Sequence, residues 1–408
     1  MTNILMLSPF KSDYFGVNKW VSDDFDNKYY IITKKNNINS YQNIENKENI
    51  FIFYINSWNP DLIRELAKDI FNKYSIDRVF SYSEGDVYLA ATIREYLGIS
   101  GQNIASAEFF RNKYIMNKYV KKAGINAPVT QKVKTIYDLY NFSKNNSFPI
   151  IIKPIDGSGS SNTFIIKNNE NIREFSYLNF DENKYICQNF IKSNLYHIDG
   201  LQLDNENKYI LVSKYLDSTL GYKDNKSTAS IQLNGSDETS QRLTEYTYDL
   251  LKKIPIPENS LFHLELFYDG KEIVFLEIAS RIGGGRIQQV IQEQFGLDPI
   301  HELLKKDINP DYTIDFKLKE RQMVYGWILI TPKFGNIEML PFDLEDIKSI
   351  YGVFNILQFA QIGKKYENAH SSVEAIYAIA LKGKSVEDVK IKLIEVEKYI
   401  NNRVSYSI

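Results

Sequence analysis

The sequence has one cysteine, four histidines and almost no net charge, and each of these shortages excludes a class of protein. Cys187 has no second thiol to pair with, so no internal disulfide framework is expected, and the scattered histidines offer no zinc-binding spacing. A formal net charge of -2 provides no basic surface for a nucleic-acid backbone. The sequence therefore predicts an intracellular protein that does not bind nucleic acid.

Long hydrophobic runs are also missing. No apolar run approaches the roughly 18 to 20 residues of a membrane span, and the first strand-like segment, "NILMLS", has no basic segment before it. We therefore expect a soluble, cytoplasmic protein with no membrane partner. What is present indicates a globular chain, since 43% of the 408 residues are apolar and 25% are charged. At roughly 100 to 200 residues per domain, this length predicts two to four domains.

Strand and helix patterns alternate along the first hundred residues, which indicates a small parallel α/β domain. From about residue 106, the pattern predicts one amphipathic helix with Ser106 as its cap. Most of the next segments have strand patterns, but residues 217–240 are polar and rich in turn formers, which predicts a mobile loop. The last ninety residues mix strands and helices and end in an amphipathic helix.

Two glutamates, Glu265 and Glu277, lie in apolar strand patterns on either side of a turn. A two-residue turn at Asp269-Gly270 would place their carboxylates on opposite faces of the hairpin. A three-residue loop over 268–270, with Gly270 left-handed, would place them on one face. We favour the three-residue loop, because it lets both charges be satisfied together. The pair then suits a hard divalent cation such as magnesium, and the alternative is a salt-bridged sheet surface.

A glycine and serine loop, "DGSGSS" over 156–161, lies between two strand-like segments. Its small residues let backbone amides approach an anion, but by itself such a loop is more typical of an ordinary hairpin. Lys153, in "IIIKP" directly before it, lies among apolar residues, where an ammonium group needs a counter-anion. A lysine, a flexible loop and a downstream carboxylate pair together predict a nucleotide site.

Five segments in this order resemble the ATP-grasp superfamily, in which two α+β subdomains clamp ATP between them. They are "FRNKYIMNKYVKKAGINAP", "FPIIIKPIDGSGSSNTF", "YICQNFI", "YHIDGL" and "FHLELFYDGKEIVFLEIASRIGGG". The resemblance implies an ATP-grasp fold of the α/β (α+β) class. The implied divisions are a Rossmann-like N-terminal domain (1–105), a small subdomain (106–187), a large subdomain (188–310) and a C-terminal α+β lobe (311–408).

The resemblance also implies roles for individual residues, with ATP and Mg²⁺ or Mn²⁺ as cofactors. Glu265 and Glu277 correspond to the metal ligands, and Arg281 and Lys153 to catalytic residues. Arg281 matches the arginine that steadies the transferred phosphoryl group, a role suited to its planar, permanently charged fork. The implied ATP contacts are Lys113 and Lys153, the loop residues Gly157, Ser158, Gly159 and Ser160, and the hinge residues Gln188, Asn189, Phe190 and Ile191.

Two positions depart from the family pattern. Ala279 stands where many members have an asparagine that serves as a further metal ligand. Leu195 stands where many members have an acidic residue that holds the ATP ribose. His197 or Asp199 could hold the ribose instead, and the alternatives are a satisfied strand histidine and a solvated surface acid.

The run "HLELF…EIASRIGGG" most resembles the L-amino-acid ligases, which join two free amino acids into a dipeptide. The resemblance implies that ATP phosphorylates a carboxylate and that an amine attacks the acyl phosphate. The expected partners are amino acids, with a homodimer as one possible assembly. The expected substrate contacts are Glu84, Arg281, Gly283 and Gly284. Glu84 could receive an amino group, although a helix N-terminal charge explains it equally well.

Two further functions stay open at this point. One is the ligation of a specialised or carrier-bound acid, in which the same chemistry acts on a different substrate. The other is a nucleotide-binding regulatory protein that has lost turnover, for which Ala279 and Leu195 are the arguments.

Overall fold

The protein is described from a computed structural model that covers residues 1–179, 181, 184–314, 323–341 and 344–407. Its strands are β1 (Asn3–Ser8), β2 (Lys28–Lys34), β3 (Ile50–Ile55), β4 (Arg78–Ser81), β5 (Thr130–Val133), β6 (Ile150–Pro154), β7 (Phe164–Ile166), β8 (Tyr185–Asn189), β9 (Asn194–Leu203), β10 (Glu206–Tyr215), β11 (Thr228–Gln232), β12 (Ser260–Tyr268), β13 (Ile273–Ala279), β14 (Val324–Ile330), β15 (Gly335–Met339), β16 (Val353–Gln358), β17 (Lys365–Tyr366), β18 (Tyr377–Gly383) and β19 (Ser405–Ser407).

Helices connect and cover these strands. They are α1 (Ser12–Phe15), α2 (Val17–Ser22), α3 (Ile38–Tyr41), α4 (Pro60–Tyr74), α5 (Val87–Leu97), α6 (Ile104–Arg111), α7 (Lys113–Lys122), α8 (Ile136–Asn146), α9 (Asn169–Asn179), α10 (Glu238–Leu251), α11 (Ile287–Phe295), α12 (Pro299–Ile308), α13 (Glu345–Tyr351) and α14 (Val386–Asn401). Short 3₁₀ turns span Lys35–Asn37, Glu84–Asp86 and Gly221–Asp224. In the described part of the chain, no helix combines the length and apolar character that a membrane crossing needs.

The N-terminal segment forms a parallel sheet with the strand order β3-β2-β1-β4. Both of its faces are buried, as is usual for parallel sheets. Leu5 and Leu7 of β1 pack in a core with residues of α4 and α5, whereas Ile4 and Met6 pack in a core shared with the largest sheet. The prediction of a parallel α/β arrangement here is confirmed, and β4 leads directly into the turn that carries Glu84.

A second sheet, with the order β5-β8-β6-β7, carries the second predicted lysine and the glycine loop. Lys153 lies near the end of β6, which pairs with β7 and β8 in antiparallel directions. The glycine loop is therefore the connection between β6 and β7. The core of this second sheet contains Ile150, Ile152 and Cys187, packed with residues of α8 and α9.

The largest sheet has the order β13-β12-β9-β10-β11-β14-β18-β16. β11 pairs with β14, so the sheet runs without a break from the predicted large subdomain into the predicted C-terminal lobe. α6 and α7 pack against this sheet, in a core that joins Phe110 and Met116 to Phe275 and Ile278. The predicted domain boundaries stay predictions, but the sheet and its core extend across two of them.

The segment 217–240 contains a central strand, so the prediction of a mobile loop is wrong for β11. β11 is buried and bonded on both sides, to β10 and to β14. Three of its five residues, Thr228, Ser230 and Gln232, are polar and buried, and the last two bond to side chains of the interior. Composition pointed to a loop because a satisfied polar side chain and a solvated one look alike in sequence.

The helix predicted from residue 106 is two helices. Asn112 separates them, and its side chain accepts hydrogen bonds from two amides in the first turn of α7. Asparagine favours such a cap because its side chain competes with the helical backbone. The preceding helix α6 is capped by Asn103 rather than by Ser106. The break places Lys113 at the first position of α7, where its ammonium group reaches the glycine loop.

Gly200 lies in β9 at a position that has no room for a side chain. An added Cβ would lie 2.2 to 3.0 Å from ring atoms of Phe262, which is fully buried. We expect Gly200→Ala to lower the free energy of unfolding by about 1 to 3 kcal/mol, since overpacking forces the strands apart. Gly235 is the matched control, because no atom lies within 4 Å of its added Cβ. Urea unfolding should separate the two variants, and equal effects would contradict this explanation.

Candidate active site

Two adjoining cavities lie between the second sheet and the largest sheet. The first, here named the nucleotide cleft, has a volume of about 390 Å³ and is lined by the glycine loop and residues 188–195. The second, the inner cavity, has a volume of about 320 Å³ and extends towards the N-terminal segment and β14. The residues that line both are Lys113, Gly157, Ser158, Ser160, Tyr215, Thr219, Glu265 and Glu277. Lys113, Glu265 and Glu277 therefore lie at the junction of the two cavities.

Glu265 and Glu277 lie directly opposite each other on β12 and β13. The loop between these strands spans residues 269–272, so the predicted three-residue loop is wrong. That register alone would place Leu276 opposite Glu265. A β-bulge shifts the pairing by one residue and brings the second glutamate into place. The prediction that both carboxylates lie on one face of the hairpin is confirmed, but the bulge and not the loop places them there.

Glu277 is the anionic partner of both predicted lysines. Its Oε2 lies 3.1 Å from Nζ of Lys113 and 3.6 Å from Nζ of Lys153. Burial by itself would raise the pKa of Glu277, but the two ammonium groups outweigh burial and lower it to about 2. Burial lowers the pKa of Lys153, and Glu277 opposes that shift. Two cations share one carboxylate here, so positive charge is left over for an incoming anion.

Besides the bond from Lys113, the glycine loop over 157–161 accepts hydrogen bonds from Ser372 and Tyr222. Ser372 donates hydrogen bonds from its backbone N and its Oγ to the carbonyl oxygen of Gly159, at 2.9 and 3.0 Å. The hydroxyl of Tyr222 donates to the carbonyl oxygen of Ser160 at 3.0 Å. These bonds hold the loop over the junction of the two cavities.

Gly159 is the loop residue at which a side chain is least tolerable. Its φ is +59°, and an added Cβ would lie 3.0 Å from Cγ2 of Val373. We expect Gly159→Ala to displace the loop and to raise the KM for ATP by about tenfold, because one lost phosphate contact is worth about 1.4 kcal/mol. Gly124→Ala is the control, since Gly124 has a φ of +77° but nothing within 4 Å of its added Cβ. Steady-state kinetics would test this, and equal KM values would contradict it.

Arg281 and Glu84 form an ion pair in the inner cavity, and Arg111 binds the other oxygen of the same carboxylate. Burial would raise the pKa of Glu84, but the two guanidinium groups outweigh it and lower the pKa. Glu84 does begin the 3₁₀ turn that precedes α5, as the helix-charge alternative requires. Its carboxylate is nevertheless bound to the two arginines, so the pair brings an anion and a cation together in the cavity.

His197 lies outside the nucleotide cleft, in a buried hydrogen-bond network. Its Nδ1 lies 2.6 Å from Oδ2 of Asp199, and its Nε2 lies 2.6 Å from Oγ of Ser230. His263 lies on the other side of Asp199, with Nδ1 2.8 Å from Oδ1. Burial would lower the pKa of His263, but Asp199 and Glu265 raise it to about 9. Neither His197 nor Asp199 lines the nucleotide cleft, so neither is placed to hold a ribose. The alternative of a strand histidine with satisfied hydrogen bonds fits His197, whereas the alternative of a solvated surface acid is wrong for Asp199, which is buried.

Gly283 and Gly284 both line the inner cavity, but for different physical reasons. An added Cβ at Gly283 would lie 2.5 Å from Nδ1 of His263 and 2.5 Å from Cδ1 of Ile287. Close packing on the histidine network therefore explains this glycine without a substrate. At Gly284 the nearest atom belongs to Val373, at 3.9 Å, so a Cβ there would face open space.

The predicted hinge residues line the nucleotide cleft; they are Gln188, Asn189, Phe190 and Ile191. The side-chain amide of Gln188 donates to Oγ1 of Thr130 in β5, and Oδ1 of Asn189 accepts a bond from the backbone N of Val129, directly before β5. Phe190 directly follows the end of β8, and 38% of its surface is exposed. The hinge therefore offers its backbone and an apolar ring to the cleft, and its amide side chains hold the sheet together.

The site also contains residues that the sequence analysis did not assign to it, among them Tyr215, Phe267 and Leu276. The hydroxyl of Tyr215 donates to Oε1 of Glu265 at 2.8 Å, and Phe267 and Leu276 line the cleft beside the glutamates. Strand periodicity could have indicated Phe267, which lies two residues after Glu265 and shares its face. Tyr215 ends β10 without any motif around it, so no local signal pointed to it.

Residues 110–285 match the sequence profile of the ATP-grasp domain family. This part of the chain is an ATP-grasp domain, and the predicted superfamily and ATP-grasp fold are confirmed. The chain is 25% identical to an L-arginine-specific L-amino acid ligase from Bacillus subtilis over 325 residues, 76% of either chain. It is 22% identical to an alanine–anticapsin ligase of the same species over 304 residues, 67% of this chain and 63% of that one.

A solved structure shares the whole architecture. The crystal structure of an L-amino acid ligase from Bacillus licheniformis matches with a TM-score of 0.76, over 100% of this chain and 99% of that chain. The two are 16% identical in sequence, so this likeness supports the fold.

Proposed function

We propose that the protein joins two L-amino acids into a dipeptide, using ATP and releasing ADP and phosphate. The observation that carries this proposal is the Glu84–Arg281 ion pair in the cavity next to the lysines and Glu277. An α-amino acid carries an ammonium group and a carboxylate on one carbon. The Glu84–Arg281 pair is complementary to these two groups, because the carboxylate can bind the substrate's ammonium group and the guanidinium group can bind its carboxylate.

The broader prediction, an ATP-dependent ligase, is confirmed by the comparisons. The chain contains an ATP-grasp domain, and two curated relatives are ligases named for amino acids. The family supports the use of ATP. The dipeptide product and the roles of individual residues go further than this and belong to the proposal.

ATP would lie in the nucleotide cleft, with its base against the hinge and its phosphates near Lys113 and Lys153. Glu265 and Glu277 fit a hard divalent cation, because they offer two opposed carboxylates at the junction of the cavities. Mg²⁺ or Mn²⁺ held there would neutralise negative charge on the phosphates. Ala279 adds no ligand, but Mg²⁺ is usually held by only one or two carboxylates together with phosphate oxygens and water.

In the first step, a carboxylate oxygen of one amino acid forms a bond to the γ-phosphorus of ATP, and the bond to ADP breaks. Arg281 would hold that carboxylate, and Glu84 would hold the ammonium group of the same molecule. Lys113 and Lys153 would stabilise the charge that develops on the phosphate oxygens. In the second step, the amine of the other amino acid attacks the acyl carbon, phosphate leaves with the amine's proton, and an amide remains.

Two observations bear on the alternatives from the sequence. The likeness to an alanine–anticapsin ligase supports a specialised substrate in one of the two positions. The regulatory alternative rests on Ala279 and Leu195. Against it, Lys113, Glu265 and Glu277 lie at the junction of the two cavities, with Lys153 in the nucleotide cleft and Arg281 in the inner cavity beside it. A protein that only senses nucleotide needs no second cavity with a charge pair for another ligand.

Phosphate release from ATP and Mg²⁺ should be measured with the twenty amino acids, alone and in pairs. We expect release with certain pairs only, together with a dipeptide of matching mass. Release that needs no second amino acid, or nucleotide binding without release from any pair, would overturn the dipeptide proposal.

A further inference from the structure

Away from the charged junction, the inner cavity has an aromatic wall. It is formed by Phe10, Tyr14, Phe15 and Tyr82, all from the N-terminal segment. Their rings contact one another at centroid distances of 4.8 to 5.6 Å. The C-terminal part of the chain adds further apolar lining: Trp327, Leu329, Phe359, Val373 and Ala378. This part of the cavity therefore offers a large apolar surface with fixed rings.

The carboxylates that line the inner cavity are already paired. In the described part of the chain they are Glu84, Glu265 and Glu277. Two lysines bind Glu277, and the hydroxyl of Tyr215 binds Glu265. Two arginines bind Glu84, and in the proposed function the remaining capacity of this carboxylate is taken by the substrate's α-ammonium group. A basic side chain that extended to the aromatic wall would find no free anion there, and burying its charge would be costly.

A further cation lies behind the aromatic wall. Arg286 is 6% exposed, and its Nε donates a hydrogen bond to Oδ1 of Asn355 at 2.9 Å. Burial raises the pKa of Tyr14, a member of the wall, and the positive charge of Arg286 partly opposes that rise. Among the described residues, no carboxylate forms an ion pair with Arg286. The electrostatic potential near the wall therefore opposes a cationic side chain as well.

Glu84 connects the charged junction to this wall, since it follows Tyr82 by two residues in the segment between β4 and α5. An amino acid with its ammonium group at Glu84 and its carboxylate at Arg281 has the lysines and the nucleotide cleft on one side. On its other side, the side chain of this amino acid would face the aromatic wall. We propose, on the basis of the proposed function, that the amino acid activated by ATP has a large apolar or aromatic side chain. Its specificity then differs from that of the relative named for arginine.

The test compares amino acids as the activated substrate. For the wild type, we expect kcat/KM for Phe, Tyr, Leu and Met to exceed that for Arg, Lys and Asp by at least about tenfold, the usual discrimination of an apolar pocket. Tandem mass spectrometry should find the apolar residue at the N-terminal position of the dipeptide. Phe10→Glu should lower kcat/KM for aromatic substrates by about tenfold and raise the relative rate with Arg and Lys.

Phe25→Glu is the matched control, because Phe25 is 74% exposed and lines neither cavity. Phe10 itself is 39% exposed, so a charge there should not unfold the protein. Should Phe10→Glu nevertheless lose its circular dichroism spectrum, the wild-type substrate comparison decides by itself. Equal use of basic and apolar acids, or apolar residues only at the C-terminal position, would overturn this inference and leave the dipeptide ligase standing.

The failure of the proposed function has a different signature, which is no phosphate release with any pair. In that case, calorimetric titration of phenylalanine and arginine in the presence of a non-hydrolysable ATP analogue still tests the cavity. Tighter binding of phenylalanine by about tenfold or more would support the apolar cavity. Equal affinities would overturn it.

Discussion

Replacing Glu277 with glutamine should lower kcat for amino-acid-dependent phosphate release by about 100- to 1,000-fold, the range found when one preorganised charged contact is removed. The substitution keeps the shape of the side chain but removes its charge. Lys113 and Lys153, which now lie 3.1 and 3.6 Å from Oε2, would lose their common anion and repel each other. A divalent cation would lose one of its two carboxylates as well.

Glu272→Gln is the matched control for this prediction, because Glu272 lies in the same hairpin but is exposed and lines neither cavity. Steady-state assays of both variants at saturating ATP would give the comparison. If Glu277→Gln retained the wild-type kcat while folded, the carboxylate would have no part in the reaction.

A pH readout separates the electrostatic role of Glu277 from a simple loss of fold. Its folded-state pKa of about 2 lies below the ordinary value of 4.5, so its ion pairs stabilise the fold above pH 4.5. That stabilisation is lost as the pH falls from 4.5 towards 2. The wild type should therefore lose part of its stability over this interval, and Glu277→Gln should lack that part of the loss.

Local patterns in the sequence were sufficient to predict a nucleotide site, and the resemblance of five ordered segments to the ATP-grasp superfamily supplied the architecture. Lys153 among apolar residues, the glycine loop and Glu277 after an apolar run each carry a physical signal within a few positions. The same is true of most strands, because their alternation and turn residues are local. These signals also brought the two glutamates to one face, although by the wrong loop.

The parts that could not be predicted depend on contacts between distant segments. The bulge that aligns Glu265 with Glu277 shifts the strand register that the loop sets. No particular residue type in the sequence indicates where this bulge occurs. Glu84 and Arg281 are 197 positions apart, so their pairing depends on how the N-terminal sheet docks on the largest sheet. A surface acid was one alternative for Asp199 because His263, one of the two histidines beside it, is 64 positions away in the sequence.

Replacing Arg281 with lysine should lower kcat/KM for the amino acids by about 100- to 1,000-fold while ATP still binds. The guanidinium group of Arg281 has several donors in one plane, and two of them are already used. Its Nε binds Glu84, and one terminal nitrogen donates to the carbonyl oxygen of Ile282 at 2.6 Å. The remaining donors can hold a substrate carboxylate, whereas a lysine ammonium cannot hold all three partners in this geometry.

Arg242→Lys, an exposed arginine on α10, is the control for the loss of a guanidinium group as such. Fluorescence titration with an ATP analogue should give the same affinity for Arg281→Lys and the wild type, because Arg281 lines the inner cavity and not the nucleotide cleft. Weaker ATP binding with unchanged use of amino acids would assign Arg281 to the nucleotide. Unchanged ATP binding with a raised KM for only one amino acid of a productive pair would identify that amino acid as the one activated, since Arg281 and Glu84 hold a single molecule in the proposed mechanism.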